Sequence, residues 1–141
     1  MYHGERFNAW SHLLGALLAL AGAIWLIVAA TVSGDALKTI SITVYGVTLV
    51  ALYSISTVYH SVRGPLKRLL RKLDHLSIYL LIAGSYTPFC LISLRGAWGW
   101  SLFGVVWGLA LIGILVDLLW KQDRRIVPGV IYLVRGWLVV F

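Results

Sequence analysis

Charged residues divide this chain into long apolar stretches. None falls in Leu13 to Val32, in Thr39 to Tyr59, in Leu76 to Leu94 or in Gly96 to Val116. A helix needs about 20 such residues to cross a hydrocarbon core of ~30 Å, so each stretch predicts one membrane span. A fifth apolar stretch opens at Ile126, is interrupted by Arg135 and reaches Phe141. As a helix it would rise only about 24 Å, which predicts a partial span and a chain that is a piece of a longer protein. The expected fold class is an all-α, polytopic membrane helix bundle. It forms a single integral membrane domain over residues 1–141, with four complete spans (13–32, 39–59, 76–94, 96–116) and a partial fifth (126–141). A cleavable signal peptide competes for the first stretch, because Ala19 and Ala21 are small enough to serve a peptidase. The apolar run exceeds the 7 to 15 residues or so of a signal core, which favours a retained helix.

Composition agrees. Of 141 residues 60% are hydrophobic and 12% charged, and the mean hydropathy is +0.89. Soluble domains carry about 25% charged residues, so lipid is the solvent for most of this surface and membrane lipids are its expected partners. The net charge of +7 raises nucleic acid as a partner. The basic residues, however, sit in short runs between apolar stretches and make no basic face, so no nucleic acid is expected. Cys90 is the single cysteine. It can form no intrachain disulfide and has no metal-ligand spacing, and it reads as a lipid- or core-facing thiol.

Charge placement orients the spans. Arg6, the run Arg63, Lys67, Arg68, Arg71 and Lys72, and the group Lys121, Arg124 and Arg125 put nine basic residues on one side, against Lys38 and Arg95 on the other. Basic loops stay cytoplasmic. The expectation is a multi-pass protein of the cell (inner or plasma) membrane with its N-terminus in the cytoplasm. Gly104 and Gly108 stand at helix-packing spacing. Pro88 should kink the third span or open its hydrogen-bond ladder. Trp98, Trp100 and Trp120 fall near expected interfaces.

On that topology the polar residues gather at the cytoplasmic ends of the helices. His12 opens the first, His60 closes the second, Asp74 and His75 open the third and Asp117 closes the fourth. Ionisable residues at membrane depth are costly and face a cavity or a partner. Ser56 and His60, at i and i+4, share one helix face, as do Glu5, Asn8 and His12 at i, i+3 and i+7. Zinc prefers histidine nitrogen, with three protein ligands and one open position in a catalytic site. A carboxylate can hold the water there, and a serine one turn from a ligand can steady it. Plainer roles stand beside this. The histidines can be interfacial polar groups, Asp74 can cap the third helix, and Asp117 can pair with Lys121 at i+4. His3 and His75 are left outside the candidate site, although His75 adjoins Asp74. No HxxxH or HExxH pair is present, so spacing leaves the metal site incomplete.

The residues also carry a resemblance. Glu5-Arg-Phe-Asn8-Ala-Trp-Ser-His12 resembles the E-x-x-N-x-x-x-H motif of the hemolysin III family, the bacterial branch of the progestin and adipoQ receptor family. Ser56-Thr-Val-Tyr-His60 is similar to its S-x-x-x-H motif. Leu73-Asp74-His75, Ser77-Ile-Tyr and Ala83-Gly-Ser-Tyr-Thr-Pro88-Phe are similar to its third-helix signature, and Tyr132 with Gly136-Trp137 to the start of its fifth helix. The resemblance implies a seven-span architecture with a cytoplasmic N-terminus. It implies zinc near the cytoplasmic leaflet, held by a histidine matching His60 and two from an H-x-x-x-H motif of the last helix, with a water beside an aspartate matching Asp74. Ser56 would adjoin the metal ligand. The wider superfamily includes alkaline ceramidases, which hydrolyse a lipid amide. The H-x-x-x-H pair is absent from these 141 residues. The leading expectation is a zinc-dependent lipid amide hydrolase, with His60 on zinc, Asp74 and Ser56 catalytic, and Glu5, Asn8 and His12 as further motif residues. The alternatives are a non-enzymatic protein that alters bilayer permeability and a sensor or regulator of membrane state.

Overall fold

The computed structural model describes residues 4–119, which form four long helices. They are α1 (Arg6–Val32), α2 (Ala36–Ser61), α3 (Leu66–Pro88, continued by a π-helical turn over Phe89–Ser93) and α4 (Ala97–Leu119). All are long and apolar enough to cross a membrane, and no strand occurs among the described residues. The expected all-α membrane bundle with four spans is what the chain builds. The partial fifth span at 126–141, with Trp120, Lys121, Tyr132, Gly136 and Trp137, lies outside the described residues, as does His3.

The helices overrun the charge-free stretches. α1 starts at Arg6 rather than Leu13, and α3 at Leu66 rather than Leu76. Absence of charge marks the part of a helix suited to hydrocarbon, whereas the backbone ladder continues into the headgroup region until a residue stops it. Before α3 the stop is Gly64, with φ of +81°, a left-handed conformation that favours glycine, followed by Pro65 at the N-cap. Asp74 therefore sits inside α3 and does not cap it. The capping carboxylate is Asp35, which accepts from the Lys38 backbone N–H at 3.1 Å at the start of α2. Asp35 also pairs with Arg95, tying the turn before α2 to the turn before α4 at one end of the bundle.

α1 packs on α2, α2 on α3, and α3 on α4. Large apolar side chains such as Leu14, Leu17, Trp25, Leu111 and Leu115 are exposed, while Ala9, Ala19, Ala23 and Ala30 of α1 and Gly46 of α2 are buried. This inversion follows from the solvent. Lipid tails are as apolar as leucine, so helices associate through close backbone approach and interhelical hydrogen bonds. A Cβ on Gly46 would lie 2.9 Å from that of Ala23, and one on Gly84 would run into the Thr48 side chain. Gly104 and Gly108, by contrast, have nothing within 4 Å of such a Cβ among the described residues. Their spacing was the expected packing signal, but α3 meets α4 along Val106, Ala110 and Gly113 instead. That α3–α4 core includes Tyr79, Ala83, Tyr86, Cys90 and Leu91, so Cys90 is a core thiol. Trp107 Nε1–H donates to Thr87 Oγ1 at 3.1 Å, and that hydroxyl donates to the Ala83 carbonyl at 2.9 Å. Pro88 brings the expected opening of the ladder, since the π-helical turn begins at the next residue. Trp98 and Trp100 are exposed at the start of α4, next to Arg95, as interfacial indoles are.

Two predictions follow from this packing. Gly84→Ala should destabilise the fold by about 1–3 kcal/mol, because Thr48 is β-branched and stiff at χ1. Gly108→Ala should be close to neutral. Thermal unfolding midpoints in bicelles compare them. The second concerns acid. The Lys38 N–H, and after it the Arg95 guanidinium, hold the Asp35 carboxyl below its ordinary value of 3.8. The folded state therefore binds this proton less readily than the unfolded state. The stability Asp35 contributes is present above its ordinary value and lost as pH falls through the lowered one. Between neutral pH and the acid range, wild type should lose more stability than Asp35→Asn.

Candidate functional site

At the end opposite the Asp35–Arg95 pair, three helices converge through side chains. Glu5 is the residue at which α1 begins. One of its carboxylate oxygens accepts from Lys67 Nζ at 2.7 Å. The other lies 2.7 Å from Nδ1 of His60, in the last turn of α2. An ionised carboxylate only accepts, so His60 donates through Nδ1–H, and in the neutral imidazole Nε2 is then the nitrogen with the lone pair. The three groups are half-buried, with 16% and 23% of the His60 and Glu5 side chains accessible. That degree of burial strengthens hydrogen bonds to charge relative to open water.

Aromatic rings enclose this clasp. The His12 ring, in the second turn of α1, stands 5.2 Å from the His60 ring in an edge-to-face arrangement and 5.9 Å from the Tyr53 ring. The Lys67 ammonium lies 4.9 Å from the centre of the Tyr59 ring, within cation–π range. Gly15 lets α1 come this close, since a Cβ there would sit 2.7 Å from the Tyr53 ring. His12 Nδ1 is buried without a hydrogen-bond partner among the described residues. A buried polar atom left in that state costs free energy unless something pairs with it.

The sequence-derived candidates divide into two groups. The structure brings Glu5, His12 and His60 together and buries Ser56 on α2 one turn before His60. Asn8 is exposed, and its side chain makes no hydrogen bond among the described residues. Asp74 is half-buried on α3, its carbonyl accepting from Ser77 Oγ at 2.7 Å, and no hydrogen bond joins it to His60. Asp117 and His75 line a shallow depression with Lys72, Leu76 and Leu118. The proposed Lys121 partner of Asp117 lies outside the described residues. Among the described residues no group of three His, Cys, Asp or Glu side chains is arranged to hold a metal ion. Spacing missed Lys67, Tyr53 and Tyr59. Lys67 had counted only as an orienting charge, and 62 positions separate it from Glu5. The signal that could have found it is the short link from Ser61 to Leu66, which must set the start of α3 beside the end of α2.

A sequence profile described as Haemolysin-III related matches residues 1–141. The chain belongs to the haemolysin III family. It is 42% identical over 137 residues to Hemolysin-3 of Bacillus cereus, covering 96% of this chain and 63% of that protein. Against the Hemolysin-3 homolog of Bacillus subtilis (strain 168) the identity is 40%, covering 96% and 64%. A more distant relative is the human monocyte to macrophage differentiation factor, 28% identical over 92% of this chain and 56% of that protein. The chain thus spans under two thirds of the length of these relatives. No solved structure matches it significantly. Family membership and four apolar helices together make this a multi-pass membrane protein.

The clasp predicts strong coupling. Glu5→Gln and His60→Gln should each destabilise the bundle by about 1.5–3 kcal/mol, the worth of a hydrogen bond to a charged group. The double variant should fall well short of the sum. Thermal unfolding of the four proteins in bicelles reads the cycle, and additive losses would show that the two side chains act independently.

Proposed function

We propose that this haemolysin III-family protein uses His60 to hold zinc at the cytoplasmic edge of the bilayer and acts on the amide bond of a membrane lipid. The observation that carries the reading is the Glu5 carboxylate on His60 Nδ1 at 2.7 Å. Histidines that ligate metal typically donate their other ring N–H to a carboxylate, which fixes the tautomer and raises ligand basicity. The neighbouring His12 Nδ1, buried and unpartnered among the described residues, adds a second nitrogen with no protein group to satisfy it. Both fit a cation, but they are fewer than the three ligands of a catalytic zinc site. On this reading the remaining donors come from outside the described residues.

In this scheme Glu5 orients His60, Lys67 holds Glu5 in place, and buried Ser56 supports the same face of α2. Asp74, without an ion pair among the described residues, serves to accept a proton at the same end of the bundle. Zinc, when bound, supplies Lewis acidity to the carbonyl and lowers the pKa of water to near neutrality. The excess of basic residues at this end supports a cytoplasmic N-terminus. The name of the Bacillus cereus relative, Hemolysin-3, supports a second reading in which the protein alters bilayer permeability without hydrolysis.

The test is metal content and turnover of the natural-length protein, purified from its own membranes without chelator. The expected result is about one zinc per chain, lost in His60→Ala and bound 10–100-fold more weakly in Glu5→Gln. Release of fatty acid from a lipid amide should disappear with the metal, and with Asp74→Asn while zinc is retained. Full zinc occupancy in His60→Ala overturns the site. Dye release from liposomes that ignores both chelator and His60→Ala would put permeability in its place.

A further inference from the structure

The first turns of α3 lie outside the clasp, apart from Lys67, and have a pattern of their own. From Leu66 to Ser93, α3 and its π-helical turn comprise 28 residues. At about 1.5 Å per residue they rise about 42 Å, roughly 12 Å more than a hydrocarbon core of ~30 Å. The excess equals about eight residues, and the charge-free run from Leu76 to Leu94 places it at the N-terminal end of α3, among the headgroups. Gly64 and Pro65 fix where they begin, and Lys67 is anchored to Glu5, which keeps this end of α3 at the membrane edge. The eight residues are Leu66-Lys-Arg-Leu-Leu-Arg-Lys-Leu73. At about 100° per residue the four leucines fall within a stripe of about 100°, and the four cations occupy the opposite face. The leucines at 66, 69 and 73 remain 51%, 54% and 39% accessible, so no other helix among the described residues covers them. Arg68 and Lys72 pair with no carboxylate among the described residues.

Residues 66–73 continue the axis of the spanning helix α3 and so stand at headgroup depth. Cations at that depth attract anionic lipid. The charge-free stretches of the bundle surface select no headgroup. We propose that residues 66–73 at the start of α3 form a docking site for anionic phospholipid headgroups in the leaflet this end faces, with Arg68 and Lys72 on the phosphates and Leu73, nearest the hydrocarbon, against the upper ends of the acyl chains. Charge complementarity selects the occupant: Arg68 and Lys72, one turn apart and paired with no carboxylate among the described residues, meet a surface that carries negative charge. This site does not depend on zinc at His60.

The experiment uses the whole chain, purified in detergent and offered equal amounts of phosphatidylglycerol and phosphatidylcholine with the same acyl chains, and native mass spectrometry reads the retained lipid. Wild type should retain phosphatidylglycerol in preference, by roughly fivefold per contributing cation at low ionic strength, with the preference falling as salt is raised. R68Q/K72Q should lose most of that preference, R68K/K72R should keep it, and K38Q, at the opposite end, should leave it unchanged. Equal retention of the two lipids by wild type overturns the site. So does a preference that survives R68Q/K72Q or is indifferent to salt. A chain that runs as a dimer and shows no lipid preference would assign the leucine stripe to a second copy instead. Far-UV circular dichroism confirms that R68Q/K72Q has kept its helices; if it has not, the salt dependence of wild type decides.

Discussion

One carboxylate, Glu5, accepts hydrogen bonds from two other helices at the edge of an apolar bundle. Its position there is constrained from both sides. Deeper in the hydrocarbon a charge would need complete pairing, and further out water would compete for both partners. At this depth it sets the entry of α1 against the exit of α2 and the first turn of α3. The arrangement also gives His60 a defined tautomer. A histidine with both nitrogens in water could present either one as acceptor, whereas the clasp leaves Nε2 as the acceptor. The proximity of His12, the cation–π contact of Lys67 with Tyr59, and the emergence of residues 66–73 at the headgroups all depend on the same three helix ends meeting.

The rest of the bundle is governed by its solvent. Small residues lie inside and large apolar ones outside because lipid gives no reward for burying a leucine. Specificity between helices therefore comes from contacts that only glycine or a hydrogen bond permits. Gly84 takes the Thr48 side chain against its backbone, and Trp107 reaches Thr87 across the α3–α4 contact. Both involve α3, which is also the helix whose ladder opens after Pro88. Its close packing on two neighbours holds it while its hydrogen-bond pattern changes.

Much of this was legible in the residues. Charge-free runs located four spans, because the cost of charge in hydrocarbon leaves a direct record in composition. Short links between spans then forced alternating directions, so His12 and His60 had to come to one end. The ends of the helices were not legible, since a helix leaves the hydrocarbon without changing its backbone, and Asp74 consequently looked like the start of α3. Gly104 and Gly108 had the right spacing for packing and Gly84 had no repeat at all. Spacing does not say which face meets a neighbour. The pairs Glu5–Lys67 and Asp35–Arg95 join positions 62 and 60 apart, and no local pattern encodes such a distance. Asp35 still carried a readable cue, an acidic residue just after Gly34 and just before an apolar run, which is an N-cap signal.

The central claim is that Glu5 fixes His60 with its proton on Nδ1 and its lone pair on Nε2. Nitrogen-15 NMR of the His60 ring in a bilayer, with zinc withheld, tests it most directly. The account predicts a protonated Nδ1 coupled to the Glu5 carboxylate, an unprotonated Nε2, and a mixture of tautomers in Glu5→Gln. A proton on Nε2 in wild type, or a His60 spectrum unchanged by Glu5→Gln, would contradict it.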